Sequence, residues 1–419
     1  MPPQTVRRPR RSGRRRAPRA AALPLRRGCV YYRSAVARRS RYRKHRSATG
    51  YVWLGLFFVA VAVVAVTTVS VLHVGRATTT KKTAARQTPR STPTKPKPAV
   101  TSVSIVAGGD LMADQGVASF IQTYGANAVL AGVEPLLSHA DLAFVNLESP
   151  LSDKGTRQAW KDVTFEGDPR MAPALASAGV DVVTMANNHA MDYGGAALLD
   201  TISRLKRVHV AVVGAGASAT AALAPAIIER HGIKVAFLGY SDVLPAGYVA
   251  GSGPGIAPAR SDMTKVIDDI RAAKAKADFV VVAFHWGVEY DQTPNPDQVA
   301  EGHAAIDAGA DLVMASHPHV LEGVEAYHGG LIAYSLGDFV FEHSSRETGE
   351  TVLITTDVSK TQITATLTPV YLSSQGIPKV VKGYDAAVIL KRMQDLSRQL
   401  HTTVVVTGDT AMVSIKRPR

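Results

Sequence analysis

Cysteine is almost missing from this chain: Cys29 is the only one in 419 residues. No intramolecular disulfide can form, so cysteine pairing says nothing about the redox compartment. The residues before it, Arg26-Arg27-Gly28, are wrong for a lipidation signal, which needs small and apolar neighbours. Acidic residues are also missing, but only from one region. Residues 1–100 contain no Asp or Glu, yet they hold 24 of the 48 Lys and Arg. The remaining residues carry 24 basic against 34 acidic side chains, a net of −10. The formal charge of +14 is therefore a property of the N-terminal region, not of the main body. An acidic body argues against a nucleic-acid-binding domain, which needs a basic face. Beyond residue 100 there is no second linker, so residues 101–419 read as one domain.

Residues 1–50 are Arg-rich and lack apolar periodicity. Such a segment buries too little apolar surface to offset its ordering entropy, and it reads as a disordered cytoplasmic tail beside a membrane. Tyr51 to Leu72 is an uncharged stretch long enough to span a bilayer as a helix. Tyr51 and Trp53 stand where an aromatic belt would sit, and the Arg-rich flank places the N-terminus in the cytoplasm. The apolar run exceeds that of a signal peptide, so an uncleaved anchor is the expectation. Residues 73–100, rich in Thr, Lys and Pro, read as a stalk. The predicted localisation is the cell membrane, single-pass, with the main domain extracellular.

Within 101–419, strand-like and helix-like segments alternate. Helices are predicted over Gln115–Tyr124, from Asp168-Pro169 to Gly179, over Gly195–Arg207, from Ser261 as N-cap to Lys276, and over Pro296–Ala308. A further helix is predicted over 385–400. Strands are predicted over Val208–Val213, Ile233–Tyr240 and Leu331–Leu336. Thr351–Val358 and Gln362–Tyr371 should form a β pair, and 402–415 a terminal hairpin. This order suggests two packed sheets with helices outside, an α/β fold.

Five apolar runs end abruptly in polar residues, as strands do where α/β folds place their sites. Val103 to Ala107 leads to Asp110, Leu142 to Val145 leads to Glu148, and Val182 to Met185 leads to Asn187, Asn188 and His189. Asp278 to Ala283 leads to His285, Glu289 and Tyr290, and Leu312 to Ala315 leads to His317 and His319. Singly, each has an ordinary reading: a core histidine, a helix cap, an Asn-rich turn. Together they form a mixed oxygen and nitrogen set suited to Mn, Fe or Zn. Carboxylates crowded in one buried pocket repel one another and take up protons unless a cation compensates. Pro318 is expected to hold His317 extended, sending the two flanking imidazoles apart.

The motifs Gly109-Asp110-Leu111-Met112, Asn146-Leu147-Glu148-Ser149-Pro150-Leu151 and Asn187 to Gly194 are joined by His285-Trp286-Gly287-Val288-Glu289-Tyr290, His317-Pro318-His319-Val320 and Tyr334 to Phe339. In this order they resemble the poly-γ-glutamate capsule biosynthesis protein CapA (PgsA) family, over about Val103 to Phe341. That family is similar to the calcineurin-like metallophosphoesterases. The resemblance implies a four-layer αββα metallophosphoesterase-like sandwich holding one or two divalent metals, Mn, Fe or Zn. It implies Asp110 and His319 on the first metal, Glu148 bridging, and Asn188, His285 and His317 on the second. His189 would assist the leaving group, and Asn187, Glu289 and Tyr290 would line the substrate side. Two residues depart from pattern. Met112 stands where phosphoesterases have a histidine, so the first metal is expected to bind more weakly. Asp338 stands where the family usually has Asn, and reads as a turn cap ahead of a charge beside the pocket.

The resemblance implies a membrane-anchored extracellular protein that assists synthesis, export or attachment of poly-γ-glutamate or a similar envelope polymer, alongside other capsule-synthesis membrane proteins. The alternatives are a metal-dependent phosphoesterase or envelope hydrolase unrelated to polyglutamate, and a non-catalytic binding scaffold. The substrate would be an anionic polymer or a phosphoester, with no nucleic acid. The net −10 of the body disfavours a polyanion lying across the whole surface.

Overall fold

The computed structural model describes residues 101–417. The expected tail (1–50), apolar span (51–72) and stalk (73–100) lie outside the described residues. Among the described residues, no helix is long and apolar enough to cross a membrane.

The strands, in chain order, are β1 (Ser102–Leu111), β2 (Leu142–Leu147), β3 (Val182–Thr184), β4 (Ala211–Val213), β5 (Ala215–Gly216) and β6 (Ala226–Arg230). They continue with β7 (Ile233–Ser241), β8 (Gly255–Ile256), β9 (Phe279–His285), β10 (Leu312–Ser316), β11 (Val324–Tyr327) and β12 (Gly330–Ala333). The last are β13 (Asp338–Val340), β14 (Glu350–Ser359), β15 (Gln362–Leu372), β16 (Pro378–Val380), β17 (Val405–Thr407) and β18 (Thr410–Lys416). One sheet runs β17-β18-β15-β14-β1-β2-β3-β4, with β13 added on β1 and β16 on β15. A second runs β11-β12-β10-β9-β7-β6, and β5 pairs with β8 in a separate two-stranded ribbon. β1 to β4 are mutually parallel, as are β7, β9, β10 and β12.

Side-chain alternation sorts each strand into two faces. Ile105 and Ala107 of β1 and Phe144 of β2 meet Phe237 of β7 and Val281 of β9 in a core between the sheets. The rings of Phe144 and Phe237 stack there at 6.0 Å, each burial worth about 1.5–3 kcal/mol. The helix Gly383–Gln399 adds Ile389, Leu390 and Met393 to the same core. Val106, Val145 and Val183 point the other way, against the helices Gln115–Tyr124, Met171–Ser177 and Gly194–Arg207. Leu238, Val282 and Phe284 pack outward against the helices Met263–Lys274 and Pro296–Ala308. The layers are thus helix, sheet, sheet, helix.

Several predicted boundaries move. The helix expected from Asp168 starts at Met171, although the Asp168 carboxylate does accept the Arg170 backbone N–H at 2.9 Å, as a cap would, while also pairing with the Arg170 guanidinium. The helix expected from Ser261 starts at Met263 and is capped by Asp262, whose side chain accepts from Lys265 N. The strand expected from Val208 begins at Ala211, because Val208 closes the preceding helix and His209 turns through φ +62°. The strand expected over Leu331–Leu336 is Gly330–Ala333, and β13 follows separately. The antiparallel β6 and β11, at the two edges of the six-stranded sheet, were not anticipated.

The parallel strands of both sheets end at the same rim. Gly109 makes this close approach workable: a Cβ there would lie 1.8 Å from the Gly337 carbonyl oxygen. The Asp110 N–H donates to that oxygen at 3.1 Å, and β13 then pairs beside β1 with Asp338 opposite Asp110.

Candidate metal centre

Asp110 lies at the end of β1, Glu148 just past β2, and Asn188 past β3. Facing them from the second sheet are His285, ending β9, and His317 and His319, past β10. All six are buried. His285 Nε2 is 2.8 Å from Asn188 Oδ1 and 3.7 Å from Glu148 Oε1. His319 Nδ1 is 3.6 Å from Asp110 Oδ2, and its Nε2 is 4.0 Å from Glu148 Oε1. Three groupings have donor atoms close enough to share a cation: Glu148 with His285 and His317, Asp110 with Glu148 and His319, and Glu289 with His317 and His319.

Whether these residues suit a cation is decided by their unmet valences. Glu148 is 0% exposed, and neither carboxylate oxygen has a hydrogen-bond partner. His317 Nδ1 is likewise buried and unpartnered. Such groups are costly in a protein interior unless something binds them. Oxygen and imidazole donors fit a borderline divalent metal. The electrostatics agree. Burial first, then the neighbouring Asp110, pushes the Glu148 carboxyl well above its ordinary range. Burial, with the imidazoles of His317 and His319 beside it, holds His285 well below the usual histidine value. Burial and His319 bring His317 down to about 3. Neutral imidazoles are the form that ligates metals. His319 goes the other way: burial opposes its charged form, but Asp338, Glu148 and Asp110 together raise it well above normal.

The surrounding bonds orient the centre. Asn146 Nδ2 donates to Asp110 Oδ1 at 2.6 Å and lies 3.3 Å from His285 Nδ1. The His317 N–H donates to Asp110 Oδ2 at 3.1 Å. That bond accompanies a correction: His317 is not extended but sits at φ +103°, and His319 at φ +59°. The rings are therefore not sent apart; their centroids are 6.0 Å from one another. Non-glycine residues at positive φ are uncommon and cluster where function constrains the backbone.

His189 stands beside the centre, with Nδ1 2.6 Å from Asp192 Oδ2 and its ring 4.2 Å from that of Phe165. Asp192 is held by the Lys161 ammonium at 2.6 Å, the Tyr248 hydroxyl at 3.0 Å and the Phe165 N–H at 2.8 Å. Burial, outweighing Asp192, lowers the His189 pKa below its ordinary value. A pocket of about 220 Å³ opens onto these groups, lined by His189, His319, Asp338, Glu289, Tyr290 and Phe341, among others.

Of the expected substrate-side residues, Glu289 and Tyr290 do line that pocket, but Asn187 does not. Asn187 is fully buried and its amide is spent internally: Nδ2 donates to Asn146 Oδ1 and Leu147 O, and Oδ1 accepts the His189 N–H. It braces the loop carrying Asn188 and His189. Asp338 is corrected too. It caps no turn; it is buried, opens β13 and lies 2.8 Å from His319 Nδ1. Met112 is buried, and its sulfur accepts the Asp114 N–H at 3.0 Å. Lys161 was missed because its loop carries no pattern that marks it.

The family model described as "Bacterial capsule synthesis protein PGA_cap" matches residues 104–343, a span that holds every group just described. The chain belongs to this family. It is 37% identical over 258 residues to the "PGA biosynthesis protein CapA" of Bacillus subtilis (strain 168), covering 61% of this chain and 67% of that one. It is 36% identical over 252 residues to the "Capsule biosynthesis protein CapA" of Bacillus anthracis, covering 59% and 61%. The match thus leaves at least about a third of each relative's length uncovered. Among solved structures the chain is similar to the NAD nucleotidase (NadN) of Haemophilus influenzae, with 13% identity, TM-score 0.38, and 71% and 57% of the two chains covered. It is also similar to TT1561 of Thermus thermophilus, with 13% identity, TM-score 0.35, and 62% and 99% covered. These two overlaps are too shallow to carry a functional argument.

Proposed function

We propose that this PGA_cap family member assists the synthesis, export or attachment of poly-γ-glutamate or a similar envelope polymer. It would do so from the outer face of the cell membrane, through a divalent metal centre. The observation that carries the reading is Glu148, buried and unbonded among Asp110, His285, His317 and His319, inside the family-matched span. The capsule role is supported by the names of its Bacillus relatives. The membrane anchor and outward orientation rest on the apolar run 51–72 and its Arg-rich flank.

Asp110, Glu148 and His319 would hold one metal, and Glu148, Asn188, His285 and His317 the other. When bound, such a cation supplies Lewis acidity toward an acyl or phosphoryl oxygen. The chain's own residues do the rest. Asn146 fixes Asp110 and His285. Asp192 holds His189 by Nδ1, leaving the opposite ring nitrogen to exchange a proton with a leaving group. Phe165 and Phe341 meet edge-on at 5.5 Å and form an apolar wall of the pocket.

The His189–Asp192 pair also favours a second reading, a metallophosphoesterase-like hydrolase acting on a phosphoester or envelope bond. The two separate in one pair of experiments. Cells carrying Glu148→Gln in place of the wild-type gene are scored for surface polymer, and the purified protein is screened with added Mn²⁺ or Zn²⁺ against phosphoesters and γ-glutamyl polymers. Polymer loss without phosphoesterase turnover supports the first reading. Unchanged polymer with phosphoester turnover supports the second, and neither effect would leave a binding scaffold. Protease added to intact cells should reach the main domain. Protection until lysis would overturn the outward orientation.

A further inference from the structure

We propose that Asp338 is a positioning residue for the first metal: it holds His319 by Nδ1 so that the Nε2 lone pair faces Glu148. This rests on the metal reading above and adds a role for a residue outside the ligand set.

The placement begins in the backbone. Gly109 lets Gly337 approach, β13 pairs with β1, and Asp338 falls directly opposite Asp110. From there its Oδ1 lies 2.8 Å from His319 Nδ1. The other ring nitrogen is 4.0 Å from Glu148 Oε1, a separation that two donors about 2.1 Å from one cation can span. Glu148 is the independent sign that something is bound there, being buried with both oxygens unpartnered. An imidazole has two nitrogens, and a metal needs one of them unprotonated and correctly aimed. A carboxylate on the far nitrogen fixes both the tautomer and the ring plane, and makes the near nitrogen more basic. Asp338 does this from a buried position.

The consequence concerns Met112. With its sulfur on the Asp114 N–H, Met112 offers nothing to the first metal. Without a compensating group that site would be the weaker one. Asp338 strengthens His319, the imidazole donor beside Asp110 and Glu148, which offsets the loss.

The test uses the purified full-length protein, stripped of metal and titrated with Zn²⁺ against a competing chelator. Asp338→Ala is expected to weaken one zinc by about 10–100-fold and leave the other unchanged. Asp338→Asn keeps an acceptor on Nδ1 but loses the charge, so it should fall between the two. In zinc-loaded wild type, histidine-selective ¹⁵N spectra should show His319 protonated at Nδ1 and metallated at Nε2. Asp338→Asn should preserve that pattern, which a merely structural role would not require. Far-ultraviolet circular dichroism identifies a variant that has unfolded, and Asp338→Asn then carries the comparison. If Asp338→Ala and Asp338→Asn both bind two zinc ions as tightly as wild type, or if His319 is metallated through Nδ1, the assignment of Asp338 is wrong while the metal centre stands. If wild type binds no zinc, both fall.

Discussion

Glu148→Gln should reverse its effect on stability according to whether metal is present. In the metal-free protein, Glu148 is a carboxyl group with no hydrogen-bond partner, beside Asp110, in a fully buried site. Leaving such a group unsatisfied costs about 1–3 kcal/mol, more if it is charged. Glutamine removes the charge, and its amide can donate to Asp110. The stripped variant should therefore exceed stripped wild type by about 1–3 kcal/mol at pH 8. At about 2–4 °C per kcal/mol for a domain of this order of size, that is a rise of several degrees in Tm. The pH dependence follows from the raised pKa. A carboxyl with a raised folded pKa contributes stability that is fully present below its ordinary value and is lost as pH rises through the folded value. The advantage of Glu148→Gln should accordingly vanish in acid and grow toward alkaline pH. Zinc inverts the order. At a hundredfold excess over Kd it adds about 2.7 kcal/mol to wild type, and less to a variant lacking the bridging charge. Thermal unfolding of both proteins at pH 5 and pH 8, with zinc and with chelator, gives all the comparisons needed. Equal Tm values for the two stripped proteins at pH 8, or equal stabilisation of both by zinc, would refute the reasoning.

Three other outcomes are expected. His285→Ala and His317→Ala should each lower bound metal by elemental analysis, and His285→Ala should also cost about 1–3 kcal/mol in denaturant because Asn188 Oδ1 and Asn146 Nδ2 lose a partner; wild-type metal content in both variants would remove these residues from the ligand set. Asp192→Asn should reduce turnover on any substrate found while leaving bound metal unchanged, since Asp192 holds His189 and no metal donor; loss of metal would mean it supports the centre instead. Burial pushes Glu322 up to about 8, with only Gln298 donating to it, so wild-type stability should decline as pH rises from about 5 toward 9. Glu322→Gln should flatten that decline by about 1–2 kcal/mol, and an identical slope in the two proteins would exclude Glu322 as its source.

The centre was legible in the sequence to the extent that it is local. Asp110, Glu148, Asn188, His285, His317 and His319 each follow an apolar run, and parallel strands present their carboxyl ends together. The two layers of sheet followed from the same alternation. What escaped depends on pairing between distant residues. Asp338 reads as a turn residue until β13 is known to lie on β1, opposite Asp110. Asn187 looks like the other polar residues of its loop until its amide is traced to Asn146 and Leu147. Pro318 does bias its predecessor toward extended backbone, but the bond from the His317 N–H to Asp110 accompanies a different geometry. The start expected at Ser261 moved because Asp262, one residue on, is the side chain that accepts from Lys265 N, and sequence alone does not choose between adjacent capping residues.

The centre draws half of its side chains from each sheet: Asp110, Glu148 and Asn188 from one, His285, His317 and His319 from the other. A cation held between them would act as a rivet through the sandwich. The two layers meet elsewhere mainly through apolar packing, which tolerates small sliding motions, whereas coordination bonds do not. Amide hydrogen exchange in β9 and β10 should then slow together with that in β1 and β2 when metal is added, although the two pairs belong to different sheets. A substitution deep between the layers, such as one at Phe144 or Phe237, would also be felt at the rim, because misaligning the sheets by an ångström pulls the rivet's two ends apart.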